Sequence, residues 1–174
     1  MKLHIFNPEH DIALAYNIPH ISVPHAAQEL RMNLGFLPSL WADDGDCVLV
    51  DDIKYALKVS NSFRNQMNDV LFVEKGDLKN LPICKVLPWG WDRRIKADMV
   101  ENGVDGSLLP DDSKLDIIRE LSGRRHTVEL LKKLRDGIEK VTCGESFVCK
   151  SNEEIEELLR SYRAIVLKAP WSSS

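Results

Sequence analysis

The sequence predicts an α/β fold: a mostly parallel sheet with helices on both faces, followed by a small α+β lobe. Three observations support this. Short apolar runs alternate with helical patterns over the first two-thirds of the chain, which is typical of βα units. A separate strand–helix–strand pattern begins after Gly144, and 44% apolar residues are enough to build a core. The predicted division is an α/β domain over residues 1–108 and a smaller lobe over residues 109–174.

Four apolar runs are the predicted strands: Leu3–Phe6, Cys47–Val50, Val70–Val73 and Cys84–Leu87. A helix is predicted from Pro24, which suits a helix start, to Gly35, which suits a helix end. Between these two residues, apolar side chains recur at helical spacing. The first two predicted strands are therefore joined by a helical crossover.

Two further helices are predicted in the first domain. Apolar residues recur at helical spacing from Ile53 to Met67, and Asp52 is placed to cap this helix. Another helix follows Trp91 and ends at Asn102-Gly103, a pair that often ends helices.

The rest of the chain begins with a connection over residues 105–112. Two short helices are predicted next, Ser113–Leu121 and Thr127–Leu134. The final unit is predicted as a strand over Ser146–Cys149, a helix from Ser151, and a strand over Ala164–Lys168. Ser151 and Glu154 form the S-x-x-E pattern of a capping box, which makes this helix the best-marked element of the chain.

Composition excludes several classes of function. The net charge is -4 and both signs are well mixed, so no basic surface for nucleic acid or an anionic membrane is expected. The four cysteines form no C-x-x-C pair, which argues against a zinc site and a disulfide framework and favours a reducing cytoplasm. Neither a signal peptide nor a membrane-spanning run is present in the sequence.

The loop after the first predicted strand, "NPEHDIALA", concentrates polar chemistry. It places Asn7, Glu9, His10 and Asp11 within five residues. Ligands of open α/β sheets bind beyond the carboxyl ends of the strands, so this loop is a candidate substrate-binding segment. The alternative is simple turn chemistry, with Asp11 capping a helix. Neighbouring histidines at positions 20 and 25 lack a spacing typical of metal ligands, so no metal site is predicted.

The loop after the fourth predicted strand, "PWGWDRR", is the second candidate segment. Trp89 and Trp91 supply aromatic surface, and Asp92 is followed by two arginines. Because Trp89 and Trp91 alternate at a strand end, one is expected to be buried and one exposed. If the sheet is parallel, this loop and the first candidate loop emerge from the same edge and together form a substrate crevice.

The end of the chain, "RAIVLKAPWSSS", resembles the ATP-grasp superfamily, as does the opening "FNPEHDIALA". Residues 1–108 then resemble the Rossmann-like pre-ATP-grasp domain, which often helps to hold the acceptor substrate. The resemblance implies that Lys168 contacts ATP, with Arg125 or Arg124 as a second, weaker match. It implies that the phosphate loop begins with three serines: Ser172, Ser173 and Ser174.

The resemblance implies an ATP-dependent carboxylate–amine or carboxylate–thiol ligase that forms an acyl phosphate. The cofactors would be ATP and Mg²⁺, the partner a small-molecule acceptor, and a homodimer is left open. Family members place their metal ligands after the phosphate loop, so the expectation is that this chain is the N-terminal part of a longer, cytoplasmic enzyme and is inactive alone. The alternative is a non-catalytic α/β module that binds a small ligand or a protein. A dinucleotide-binding domain is disfavoured because no G-x-G-x-x-G follows the first strand.

Overall fold

A computed structural model describes residues 1–137, Val141 and residues 144–171. The chain forms two compact units, Met1–Ile118 and Arg119–Ser174. The strands of the described residues are β1 Lys2–Ile5, β2 Cys47–Leu49, β3 Leu71–Val73 and β4 Lys85–Pro88. The α-helices of the described residues are α1 His10–Tyr16, α2 His25–Leu34, α3 Ile53–Ser60, α4 Arg93–Glu101, α5 Asp112–Leu121, α6 Arg124–Arg135 and α7 Asn152–Ser161.

The four strands form one parallel sheet in the order β3-β2-β1-β4. In this sheet Leu3 of β1 lies opposite Cys47 on one side and Val86 on the other. The predicted α/β fold with a Rossmann-like parallel sheet is confirmed. The strand order reverses between β1 and β4, and the loops at such a reversal are where open α/β sheets bind ligands.

Alternate strand residues point to opposite sides of the sheet, and both sets include apolar side chains. Helices therefore cover both faces. On one face Leu3, Ile5 and Val86 pack against Ile95 and Met99 of α4. On the other face the apolar cluster consists of Val48, Phe72, Phe36, Val50 and Ala56, the last of these from α3. Burial of these side chains against the helices holds the crossover connections to the sheet.

The start of β1 is fixed by Asp46, which precedes β2. The carboxylate of Asp46 accepts hydrogen bonds from the Lys2 amide at 2.8 Å and from Nε2 of His4 at 3.1 Å. Burial acts to raise the pKa of Asp46, but these two hydrogen bonds, with the Lys2 charge, outweigh it and hold the pKa below its ordinary value. Burial and the Asp46 charge raise the pKa of the neighbouring Cys47 thiol to about 11.

Two helices differ from the prediction. The helix that starts at Ile53 ends at Ser60 and continues as a short 3₁₀ turn, Asn61–Phe63, instead of reaching Met67. Asparagine and serine residues are frequent after Ser60, and their side chains compete with helical backbone hydrogen bonds. Helix α1, considered from the sequence only as a helix capped by Asp11, has 7 residues and is followed by Asn17, whose φ of 54° is left-handed.

The unit Arg119–Ser174 contains α6 and α7, and its predicted strands are wrong. Ser146–Cys149 and Ala164–Lys168 have no strand structure, so the expected α+β lobe is helical and irregular in the residues described. A strand needs a hydrogen-bonded neighbour, and the apolar side chain of Val166 is 80% exposed, with no sheet burying it. Helix α7 is confirmed, capped by a hydrogen bond from the Glu154 amide to Ser151 Oγ.

In the part of the chain that the structure describes, no helix is both long and apolar enough to cross a membrane.

Candidate functional site

The loops after β1 and β4 are joined by the side chain of Asn7. Its Nδ2 donates to the carbonyl oxygen of Gly90 at 2.9 Å, and its Oδ1 accepts from the Gly90 amide at 3.2 Å. Asn7 is 1% exposed, so both hydrogen bonds are protected from water. The two predicted loops therefore meet at the point where the strand order reverses.

Asp92 connects the same loops through a carboxylate that is almost fully buried. One of its oxygens, Oδ1, accepts from the Ile95 amide at 2.8 Å and so caps α4. The other oxygen, Oδ2, lies 2.9 Å from Nδ1 of His10 and accepts a longer hydrogen bond from Asn7. Since a carboxylate only accepts, the proton of the His10 bond lies on Nδ1, which makes Nε2 the acceptor nitrogen of the neutral tautomer.

Gly90 makes room for the His10 ring. A Cβ atom at position 90 would overlap the imidazole, so any other residue would displace it. The absence of a side chain at Gly90 lets the ring lie against the backbone while it reaches Asp92. The side chain of His10 is 15% exposed, so the histidine lies at the boundary between the core and solvent.

Glu9 lies at the centre of an ion-pair network and is 1% exposed. Its Oε1 accepts from Nη1 of Arg31, on α2, at 2.6 Å, and from Nη1 of Arg94, on α4. Arg31 also donates from Nε to Asp51, which follows β2, at 3.0 Å. Burial acts to lower the pKa of Arg31, but the charges of Glu9 and Asp51 outweigh it and raise the pKa, so Arg31 stays charged.

The second oxygen of Glu9, Oε2, is buried and has no hydrogen-bond partner among the described residues. A carboxylate oxygen removed from water without a donor carries a large desolvation cost. Such an atom is a candidate acceptor for a hydrogen-bond donor from outside the described residues.

Two tryptophans lie in the loop that follows β4, next to this polar network. Trp89 is 66% exposed and packs edge-on against Phe6, with ring centroids 5.9 Å apart. Trp91 is half-buried and packs against the core cluster beside α4, so one tryptophan is exposed and the other largely covered, as predicted. A mostly apolar cavity of about 330 Å³ lies beside Trp89, and Trp41 and Leu87 also line it.

The structure brings together most of the predicted substrate-binding residues. Asp11 is the exception, because it lies in the first turn of α1 without capping it; Glu9 occupies the N-cap position. Sequence reasoning missed Arg31 and noted Arg94 only as nearby charge. A mid-helix arginine carries no pattern that identifies its partner, so Arg31 had no usable signal.

The residues assigned to ATP by resemblance lie in the second unit. Lys168 and Arg125 are both exposed. The neighbouring Arg124 donates from Nε to the carbonyl oxygen of Ala169 at 3.0 Å. The three predicted phosphate-loop serines, Ser172, Ser173 and Ser174, lie outside the described residues. Among the residues described, no group of three or more histidine, cysteine, aspartate or glutamate side chains is arranged to hold a metal ion.

The fold and site define an α/β protein whose Rossmann-like parallel sheet carries a buried polar network where its strand order reverses. No family model, curated protein or solved structure matches the chain.

Proposed function

We propose that the chain belongs to an ATP-dependent carboxylate–amine or carboxylate–thiol ligase, and that the crevice between β1 and β4 holds its small-molecule acceptor. One observation carries this proposal. Buried polar side chains from both loops converge where open α/β sheets bind ligands, and the network includes an unpaired carboxylate oxygen. The sequence resemblance to ATP-grasp enzymes supplies the reaction class, and the crevice supplies a place for the acceptor.

In this proposal His10 is the general base. Its Nε2 takes a proton from the nucleophilic ammonium or thiol of the acceptor, and Asp92 stabilises the imidazolium that forms. The neutral amine or the thiolate then attacks the acyl phosphate, a bond to the acyl carbon forms, and the bond from that carbon to the phosphate oxygen breaks. Inorganic phosphate leaves and, when the nucleophile is an amine, takes the remaining proton from the nitrogen. Activation of the carboxylate by ATP precedes this step and is not assigned to residues of the crevice.

ATP contacts are proposed for Lys168 and Arg125, with the serines at 172–174 beginning the phosphate loop. An ammonium group gains from a phosphate through a charge-assisted hydrogen bond. Mg²⁺ is proposed to bind together with ATP, and no protein ligands for it are assigned. A reducing cytoplasm is also part of the proposal, since the described cysteines Cys47, Cys84 and Cys149 are free thiols.

A non-catalytic module that binds a small ligand or a protein is the second candidate. The observation that favours it is the lack of strands in the described part of the unit Arg119–Ser174, because a nucleotide lobe needs a sheet to present Lys168. Under this alternative the crevice still binds its ligand, but ATP does not bind.

Calorimetric titration with ATP and Mg²⁺ separates the two candidates. The ligase proposal expects weak binding, with a dissociation constant on the order of millimolar. Lys168→Ala should weaken this affinity by about tenfold, whereas Lys133→Ala, an exposed lysine of the same unit, should leave it unchanged. Absence of ATP binding, or equal affinities of the two variants, would favour the binding module.

A further inference from the structure

The two oxygens of the Glu9 carboxylate are used unequally. Both arginine donors bind Oε1, and Oε2 accepts nothing among the described residues although the side chain is buried. Most buried carboxylates in folded proteins have both oxygens satisfied, because an unpaired oxygen has lost water without replacement. The orphan atom therefore indicates a missing hydrogen-bond donor.

The chemistry of a carboxylate oxygen selects the kind of partner. Oε2 of Glu9 can only accept, so the missing partner is a hydrogen-bond donor. An ammonium group donates charge-assisted hydrogen bonds to a carboxylate, whereas an anionic group would be repelled by it.

We propose that Glu9 Oε2 binds the primary ammonium group of a ligand. This inference rests on the proposed acceptor site and names its nucleophile as an amine rather than a thiol, since a thiol is a weak donor without charge. The ammonium donates one N–H to Oε2 in a charge-assisted hydrogen bond. The inference does not depend on ATP.

Access to Oε2 runs past the arginine side chains. The Arg31 and Arg94 side chains are 21% and 13% exposed, so both reach solvent while their guanidinium groups hold Oε1. The proposal requires one of these side chains to move aside when the ligand binds. An amine attached to a larger molecule can then enter with the remainder of the ligand outside the network.

Two cations of equal charge test the proposal by NMR. Methylammonium has N–H donors and tetramethylammonium has none, so titration of the ¹⁵N-labelled chain with each chloride salt separates hydrogen bonding from charge. We expect saturable shifts of the Glu9, Arg31 and Arg94 amide signals with methylammonium only. An equal response to both cations, or no saturable shift with either, overturns the proposal and indicates that water satisfies Oε2.

Glu9→Gln places an amide donor at the position of the unpaired oxygen while keeping the size of the side chain. We expect it to weaken methylammonium binding by about tenfold or more. Glu29→Gln, at an exposed position on α2, is the matched control and should bind as the unmodified chain does. Unchanged binding by a folded Glu9→Gln variant overturns the proposal. If that variant does not fold, the comparison of the two cations on the unmodified chain decides.

The results of the methylammonium and ATP titrations distinguish a failure of the amine site from a failure of the ligase proposal. Methylammonium binding without ATP binding retains the amine site and removes the ligase. ATP binding without methylammonium binding retains the ligase and removes the amine site.

Discussion

Replacement of Asp92 by alanine should destabilise the first unit more than loss of an ordinary helix cap. The Asp92 carboxylate caps α4 and also holds Nδ1 of His10, so the variant loses two different functions. Loss of the cap costs about 1 kcal/mol. The His10 nitrogen, left largely buried without a partner, adds roughly 1–3 kcal/mol. Asn7 contributes little, because it keeps its hydrogen bonds to Gly90. The expected loss of unfolding free energy is about 2–4 kcal/mol.

Asp52→Ala provides the matched control. Asp52 caps α3 in the same way, accepting from the Tyr55 amide at 2.8 Å, but it is exposed, and among the residues that the structure describes no hydrogen bond from a second loop reaches it. Its loss should cost about 1 kcal/mol. Urea denaturation followed by tryptophan fluorescence measures both variants in a Trp171→Phe background, so that the signal comes from the first unit. Losses equal to within about 0.5 kcal/mol would refute the role of Asp92 in joining the loops.

Three further predictions follow from single positions. Because the pKa of Asp46 is lower in the folded than in the unfolded chain, its ionised carboxylate stabilises the fold above the unfolded-state pKa, and this stabilisation is lost as pH falls through the folded-state pKa. The urea midpoint should therefore fall over this pH range, and it should fall less in Asp46→Asn. An Asp46→Asn variant with the same pH profile as the unmodified chain would contradict this prediction. Buried Cys47, with a pKa of about 11, should resist a thiol-specific reagent near pH 8, whereas exposed Cys84 should react at once. Similar modification rates of the two cysteines, measured by mass spectrometry, would contradict this. Gly90→Ala should lower the urea midpoint and shift the imidazole NMR signals of the displaced ring, whereas Gly76→Ala, which meets open space, should do neither.

The sheet was predictable because its strands are short apolar runs separated by helical patterns, and Asp52 and Ser151 mark helix starts that the structure keeps. The strand order was not predictable, because local patterns do not specify which strands pair. The two strands predicted near the chain end failed for a related reason. The alternation in "RAIVLK" suits a strand, but without a neighbour to pair with, Val166 stays exposed.

The site could be predicted in its location and not in its contacts. The rule for open α/β sheets was enough to bring "NPEHD" and "PWGWD" to one edge. The pairing of His10 with Asp92, and of Glu9 with Arg31 and Arg94, depends on side-chain directions set by tertiary packing. Sequence spacing contains no measure of those directions.

The parallel pairing of β1 with β4 also affects how the chain acquires its site. Asn7 and Gly90 are separated by 83 positions, so their contact is among the most distant in sequence within the unit. Contacts of this kind form only after a long loop has closed, which makes them slow. During synthesis, the opening loop with Asn7, Glu9 and His10 emerges early, and its contacts form only after β4 and Asp92 have emerged. A nascent chain therefore lacks the assembled polar network until nearly the whole first unit has left the ribosome.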